Sequence, residues 1–177
     1  MKDYIIITDS AGDLSPKMVE ELGVGVIPLE FQLKGKSYFN YPDERDISTK
    51  EFYRIVREGE TATTSQVTVQ RYTDYFEEVL KHDRDILYIA FSSGLSGSCN
   101  SAKVAAQELK AKYPDNRIEV VDSLCASLGQ GLYVYHAVME KKKGKSIDEV
   151  IQWLEDNKLN LAHWFTVDDL NHLKRGG

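Results

Sequence analysis

Two rhythms run along the chain: short unbroken apolar runs, and longer stretches whose apolar residues recur at helical spacing. Tyr4–Thr8 is of the first kind and predicts a short buried strand, closed by the turn cluster Asp9-Ser10-Ala11-Gly12-Asp13. Ser15 then supplies an N-cap and Pro16 a first helical position, opening a helix to about Leu22. Gly23–Leu33 reads as one second strand, Lys34-Gly35-Lys36 as a turn, and residues 37–40 as a short return strand. Ser48 and Glu51 have the spacing of a capping box for a helix to about Glu58. The polar stretch 61–66 reads as a loop. In the helix after it, Tyr72, Tyr75, Phe76, Val79 and Leu80 form one apolar face.

The second half repeats the alternation. A strand at 85–91, apolar from Ile86 onward, leads through a hydroxyl-rich segment into a helix ending near Ala111. Ile118–Val121 predicts a further core strand, and a long helix follows from about Ala126 to Lys142. Ser146 and Glu149 make a second capping box for another helix. Residues 161–167 look strand-like and 168–175 helical. Strands alternating with helices predict an α/β fold, a mainly parallel doubly wound sheet flanked by helices. The last strand and helix have nothing after them to cover their apolar side. They read as the start of a second α/β domain, dividing the chain into 1–160 and 161–177.

Composition narrows the function classes. With 177 residues, 42% of them hydrophobic, the chain suffices for one domain and the beginning of another. A net charge of −6 disfavours nucleic acid, because backbone phosphates demand clustered Lys and Arg. The one basic cluster, Lys141-Lys142-Lys143 with Lys145, falls at a helix end, where it complements the helix dipole. Cys99 and Cys125 match neither a disulfide framework nor a metal spacing and read as small apolar residues in a reducing compartment. The four histidines are too scattered for a metal site. No stretch approaches a membrane span and the start lacks a signal-peptide pattern, so the expectation is a cytoplasmic protein without stable membrane insertion.

Three predicted strands end in hydroxyl-rich loops: Asp9-Ser10, the run Ser92-Ser93-Gly94-Leu95-Ser96-Gly97-Ser98, and Asp122-Ser123. Thr63-Thr64-Ser65-Gln66 also precedes a helix. Where such loops converge beyond strand ends, hydroxyls and helix N-terminal N–H groups suit an anion. A phosphate, an activated serine or a carboxylate would each fit that description. No Gly-rich phosphate fingerprint is present. Ser96 lies between strand and helix, yet Gly94-Leu95-Ser96-Gly97 is not the Gly-x-Ser-x-Gly of a hydrolase elbow, and no histidine follows at a convincing place. A serine hydrolase or acyltransferase acting through Ser96 therefore stands as the alternative, and a regulatory interaction domain as a third reading. A few hydroxyls bind an anion weakly in water, at about 0.5–1.5 kcal/mol per hydrogen bond. An alkyl tail adds about 0.8 kcal/mol per buried CH₂, so such loops beside apolar strands are consistent with a carboxylated lipid.

The ordered segments IITDSAGDL (6–14), TTSQVT (63–68), IAFSSGLSGSCNSA (89–102), IEVVDS (118–123) and FTVDDLNHLKRGG (165–177) resemble the DegV family of bacterial fatty-acid-binding proteins. The resemblance implies a two-domain α/β protein that encloses a long-chain fatty acid, with no cofactor and no catalytic residue of its own. It implies a carboxylate grip by Thr64 and Ser96, with Ser65, Ser93, Gly94 and Gly97 shaping the pocket. It also implies a separate fatty acid kinase that takes the presented carboxylate to acyl phosphate for phospholipid metabolism, with Arg175 facing that partner. Two departures stand out. The family's proline after Thr-Ser-Gln is Val67 here, which is expected to loosen that loop. The family also continues well past LKRGG, so an uncovered apolar face and self-association through it are expected.

Overall fold

The computed structural model describes residues 2–164 together with Thr166, Val167 and Leu170. Its centre is a four-stranded parallel sheet of β1 (Tyr4–Asp9), β2 (Gly25–Ile27), β6 (Asp85–Ala90) and β7 (Ile118–Asp122), in the order β2-β1-β6-β7. Beside it lies a three-stranded antiparallel sheet of β3 (Glu30–Leu33), β4 (Lys36–Phe39) and β5 (Ala62–Ser65), in the order β4-β3-β5. Among the described residues, α1 (Pro16–Leu22), α2 (Thr49–Arg57), α3 (Val69–Leu80) and α4 (Ser98–Lys112) lie between strands, and α5 (Ser127–Lys142) and α6 (Ile147–Asn157) follow β7.

The parallel strands read as continuous apolar runs because both of their faces are covered. Tyr4, Ile6, Leu87, Ile89 and Val121 point to one side, against α1, α5 and α6. Ile7, Ile86, Tyr88 and Ala90 alternate to the other, against Tyr72 and Phe76 of α3 and Ala102 and Ala105 of α4. Phe31 and Leu33 of the small sheet form a separate cluster with Ile55 of α2.

Most helix signals operate as read. Ser15 accepts the Met18 N–H with Pro16 at the first turn, and Gly23, at φ 65°, closes α1 in the left-handed region that glycine enters without strain. Ser146 and Glu149 form a complete capping box. At α2 only half of one forms: Ser48 accepts the Glu51 N–H, while the Glu51 carboxylate turns to Arg54.

Three expectations are corrected. The single strand 23–33 is two strands in two sheets, broken at Pro28, which has no N–H to continue a ladder. Residues 62–65 are not loop but the edge strand β5, paired antiparallel with β3; tertiary pairing overrides their polar composition. Leu161–Trp164 has no regular structure and follows a short 3-10 turn at Lys158–Asn160, so the strand expected there does not form among the described residues. The helix expected at 168–175, Arg175 included, lies outside the described residues apart from Leu170, which is helical.

From β1 the chain crosses to β2 on one side and later to β6 on the other. The switch point of the parallel sheet thus lies between the carboxyl ends of β1 and β6, where open α/β sheets hold their ligands.

Candidate functional site

The switch point is filled by a side chain of the protein itself. Asp9, 1% exposed at the end of β1, accepts four hydrogen bonds. Oδ2 takes the Tyr88 hydroxyl at 2.7 Å and the Phe91 N–H at 3.0 Å; Oδ1 takes the Ala11 N–H and the Gln130 side-chain amide, each at 3.1 Å. All four donors are neutral. Burial raises the Asp9 carboxyl above the ordinary range, outweighing the donors that favour its ionised form. Sequence reasoning reads Asp9 as a local turn residue; the turn bond exists, but the other three partners come from β6, its following loop and α5.

A chain of hydroxyls leads away from this carboxylate. The Tyr88 and Tyr72 hydroxyls lie 2.7 Å apart, both buried, with Ser98, itself fully buried, at the start of α4. Ser98 Oγ in turn accepts the Val67 N–H and the Ser96 hydroxyl, each at 3.0 Å. Burial pushes both tyrosine pKa values up, so these phenols are neutral. Tyr72 and Tyr88 sit within apolar patterns and read as core; only their hydroxyl contacts mark them as polar links.

The Val67–Ser98 bond docks the end of the TTSQ segment onto the β6–α4 loop. Gln66 closes the same contact, because a Cβ on Gly97 would lie 2.0 Å from Gln66 Oε1, an approach that glycine alone permits without displacement. Val67, 1% exposed, is therefore tied down rather than loosened, through an N–H that proline would lack.

The donors of the β6–α4 loop divide into spent and available. Ser92 Oγ accepts the Gly94 N–H, and the Ser96 N–H goes to the Ser92 carbonyl. Ser93 is turned to the neighbouring strand end, its N–H donating to Asp122 Oδ1 at 3.2 Å. Burial works to raise the Asp122 pKa, but bonds from Ser93 and the Leu124 N–H outweigh it and hold the carboxyl below its usual value. At the start of α4, Ser96 Oγ accepts the Ser98 N–H, while the N–H groups of Cys99 and Asn100 meet no acceptor among the described residues. Half-buried Ser96 lies next to those free donors.

The two residues of the TTSQ segment behave differently. Thr64 is paired with Phe31 and Ser65 with Glu30, so their side chains leave opposite faces of the small sheet. Both are exposed. Their hydroxyls therefore cannot both face one ligand from the same side of the sheet.

Around the same sheet end the surface is apolar. The β6–α4 and β7–α5 loops are joined by the Ser92 N–H to the Cys125 carbonyl at 3.0 Å. Leu95 and Leu124 stand on them 68% and 46% exposed, and Leu128, in the first turn of α5, is 65% exposed. Leu124 adopts a positive φ of 54°, an unfavourable backbone for a branched side chain and a sign that the loop is held by its surroundings.

Other arrangements fare less well. A cleft of about 270 Å³ beside β1 is lined by Asp9, Ser10, Asp13, Tyr41, Glu44 and Thr49; its three carboxyl groups disfavour an anion, and neither Thr64 nor Ser96 lines it. Ser96 bonds with no histidine among the described residues. His136 packs against Trp153, and His163 Nδ1 lies 3.9 Å from Cys125 Sγ. Both cysteines are buried free thiols. Among the described residues no cluster of metal-ligating side chains forms, and no helix is long and apolar enough to cross a membrane.

Comparison with known proteins supplies an independent line. A family model described as an uncharacterised protein of the DegV family matches residues 4–177. A DegV domain-containing protein of Clostridium perfringens is 49% identical over 177 residues, covering 100% of this chain and 60% of that relative. A DegV family protein from Thermus thermophilus, described by its fatty acid binding, superposes with a TM-score of 0.85 at 35% identity over 99% of this chain and 60% of its own. A stearic-acid-binding protein from Eubacterium ventriosum gives 0.85 at 31% identity, covering 98% of this chain and 59% of its own. The chain thus spans about 60% of the length of these relatives.

Proposed function

From the premise that the chain belongs to the DegV family, we propose that it binds a long-chain fatty acid as a carrier, with the carboxylate at the α4 N-terminus. The observation that carries this reading is the docking of the TTSQ end onto the β6–α4 loop. It sets the Ser96 hydroxyl and the free N–H groups of Cys99 and Asn100 beside the exposed Leu95, Leu124 and Leu128. Neutral donors hold an anionic head, and the leucines offer the start of an apolar bed for the tail. Thr64 is the partner hydroxyl on this reading, with Gly94 and Gly97 keeping the loop close. Ser93, engaged by Asp122, shapes the loop rather than gripping the ligand.

On the same reading, residues 1–160 form the head-group domain, and 161–177 begin a second domain that covers the tail. A separate fatty acid kinase then takes the presented carboxylate to acyl phosphate, with Arg175 at that contact. The site holds the carboxylate without transforming it.

Mass spectrometry of the purified protein is expected to find co-purifying acyl chains. Thr64→Ala and Ser96→Ala are each expected to weaken binding of a fluorescent fatty acid roughly two- to tenfold, the equivalent of one hydrogen bond of about 0.5–1.5 kcal/mol. A protein that carries no acyl chain and takes up none when supplied would overturn the reading.

A further inference from the structure

The carboxylate grip of Ser96 and Thr64 leaves one polar side chain of the TTSQ segment without a task. Gln66 follows directly on β5, and side chains alternate along an extended chain, so it starts from the face of Thr64 rather than that of Ser65. Its amide reaches the β6–α4 loop. A Cβ on Gly97 would lie 2.0 Å from Gln66 Oε1, 3.0 Å from Cδ and 3.5 Å from Nε2, so the amide lies against the Gly97 backbone with Oε1 nearest and Nε2 farthest. Gly97 follows Ser96 and is the N-cap of α4, where it supplies no side-chain bond of its own.

Groups other than the amide hold this placement. One residue on, the Val67 N–H donates to Ser98 Oγ at 3.0 Å, and Ser96 Oγ bonds to both the hydroxyl and the N–H of Ser98. The Gln66 amide takes no part in these bonds and has no hydrogen-bond partner elsewhere among the described residues. Both N–H groups of Nε2 are thus carried to the loop of the head-group site and left to donate. Packing alone does not call for them, since an aliphatic side chain of equal length fills the same notch.

Building on the reading that the carboxylate sits at the α4 N-terminus, we propose that Gln66 is a specificity-determining residue for the head group. Its Nε2 donates to one carboxylate oxygen while Ser96 and the free N–H groups of Cys99 and Asn100 hold the other. A carboxylate only accepts and offers two oxygens, so it takes donors from both sides at once. An alcohol offers one oxygen, and its own proton then needs an acceptor. Bonds to an ionised oxygen are also stronger than bonds to a neutral one. Gln66 thereby selects a carboxylate over a one-oxygen head of the same chain length, and does so without adding a charge.

The test is fluorescence titration of the chain with pyrene-dodecanoate and with pyrene-dodecanol at pH 8, both below their micelle concentrations. The wild type is expected to bind the carboxylate more tightly than the alcohol. Gln66→Met fills the notch without the N–H groups and is expected to weaken the carboxylate roughly two- to tenfold, the equivalent of one hydrogen bond, with the alcohol held within about twofold. Gln66→Glu keeps the shape but sets a like charge beside the ligand, and is expected to weaken the carboxylate beyond Gln66→Met while the alcohol binds no less tightly. A residue that merely supports the loop would move both probes alike. Equal losses for the two probes, or an unchanged carboxylate affinity in Gln66→Met, would overturn the proposal and leave the fatty-acid reading in place. Failure of the wild type to bind pyrene-dodecanoate would overturn both together.

Discussion

Removing the Ser98 hydroxyl tests the junction on which the site depends. Ser98 is fully buried, and its oxygen is the acceptor of the Val67 N–H at 3.0 Å. Ser98→Ala leaves the shape nearly unchanged but strands that N–H away from water. An orphaned buried donor costs about 1–3 kcal/mol. For a chain of this size, each kcal/mol lowers the melting temperature by about 2–4 °C, which gives a fall of about 2–12 °C. Val67→Pro supplies the control, since proline has no N–H to strand, and Gln66 follows directly on β5, where extended backbone suits a following proline. In the Val67→Pro background, Ser98→Ala is expected to cost clearly less than in the wild type, the remainder being the lost contact with the Ser96 hydroxyl. Urea unfolding of the four proteins, followed by circular dichroism, measures the cycle. Equal costs of Ser98→Ala in both backgrounds would show that this bond does not hold the two segments together.

Three further outcomes are expected. Tyr88→Phe removes a donor from Asp9 and a partner from Tyr72 in a fully buried site, and should lower stability by about 1–3 kcal/mol in urea unfolding. Gly97→Ala should fold with a loss of about 1 kcal/mol or less, because the atom it meets is the free end of Gln66; the displaced Gln66 should still weaken fatty-acid binding, read by fluorescence titration. The raised Asp9 pKa stabilises the fold fully below the unfolded value, near 3.8, and that contribution disappears as pH rises through the folded value. The wild type should therefore lose stability relative to Asp9→Asn across that rise, as measured by unfolding at successive pH values.

The parallel sheet and its helices were legible because two faces of burial leave a plain record: unbroken apolar strands at 4–8 and 85–91, and the 72–80 face of α3 at helical spacing. The small sheet was not. Thr63, Thr64 and Ser65 carry no apolar alternation, and their strand exists because β3 offers an edge, a fact of tertiary structure. Pro28 was the one visible sign that the second strand divides in two. The serine loops suggest an anion site through composition, but which donors are free depends on partners remote in sequence. Ser93 is spent on Asp122, 29 positions away, and Ser98 on Val67, 31 positions away. Tyr72 and Tyr88 show the same limit from the apolar side, since a ring that packs as core gives no hint of where its hydroxyl goes.

Asp9 changes what the switch point of this sheet can do. A crevice between β1 and β6 ordinarily receives a ligand. Here it already contains a carboxylate, saturated by four donors, and the proposed fatty-acid site lies one loop further along, at the start of α4. Two negative charges then flank a short, buried run of hydroxyls with no cation among Asp9's partners to screen them. Their repulsion in that low-dielectric interior couples the two: an occupied site favours neutral Asp9, and neutral Asp9 favours occupation. Reciprocity fixes the size of both effects together, so whatever factor one proton adds to affinity the ligand must return as a rise in the Asp9 pKa. A bound fatty acid should therefore shift the pH at which stability declines upward, by one unit for each tenfold gain in affinity that the proton provides. Unfolding curves measured with and without bound fatty acid read that shift directly; curves that decline at the same pH in both states would separate Asp9 from the ligand altogether.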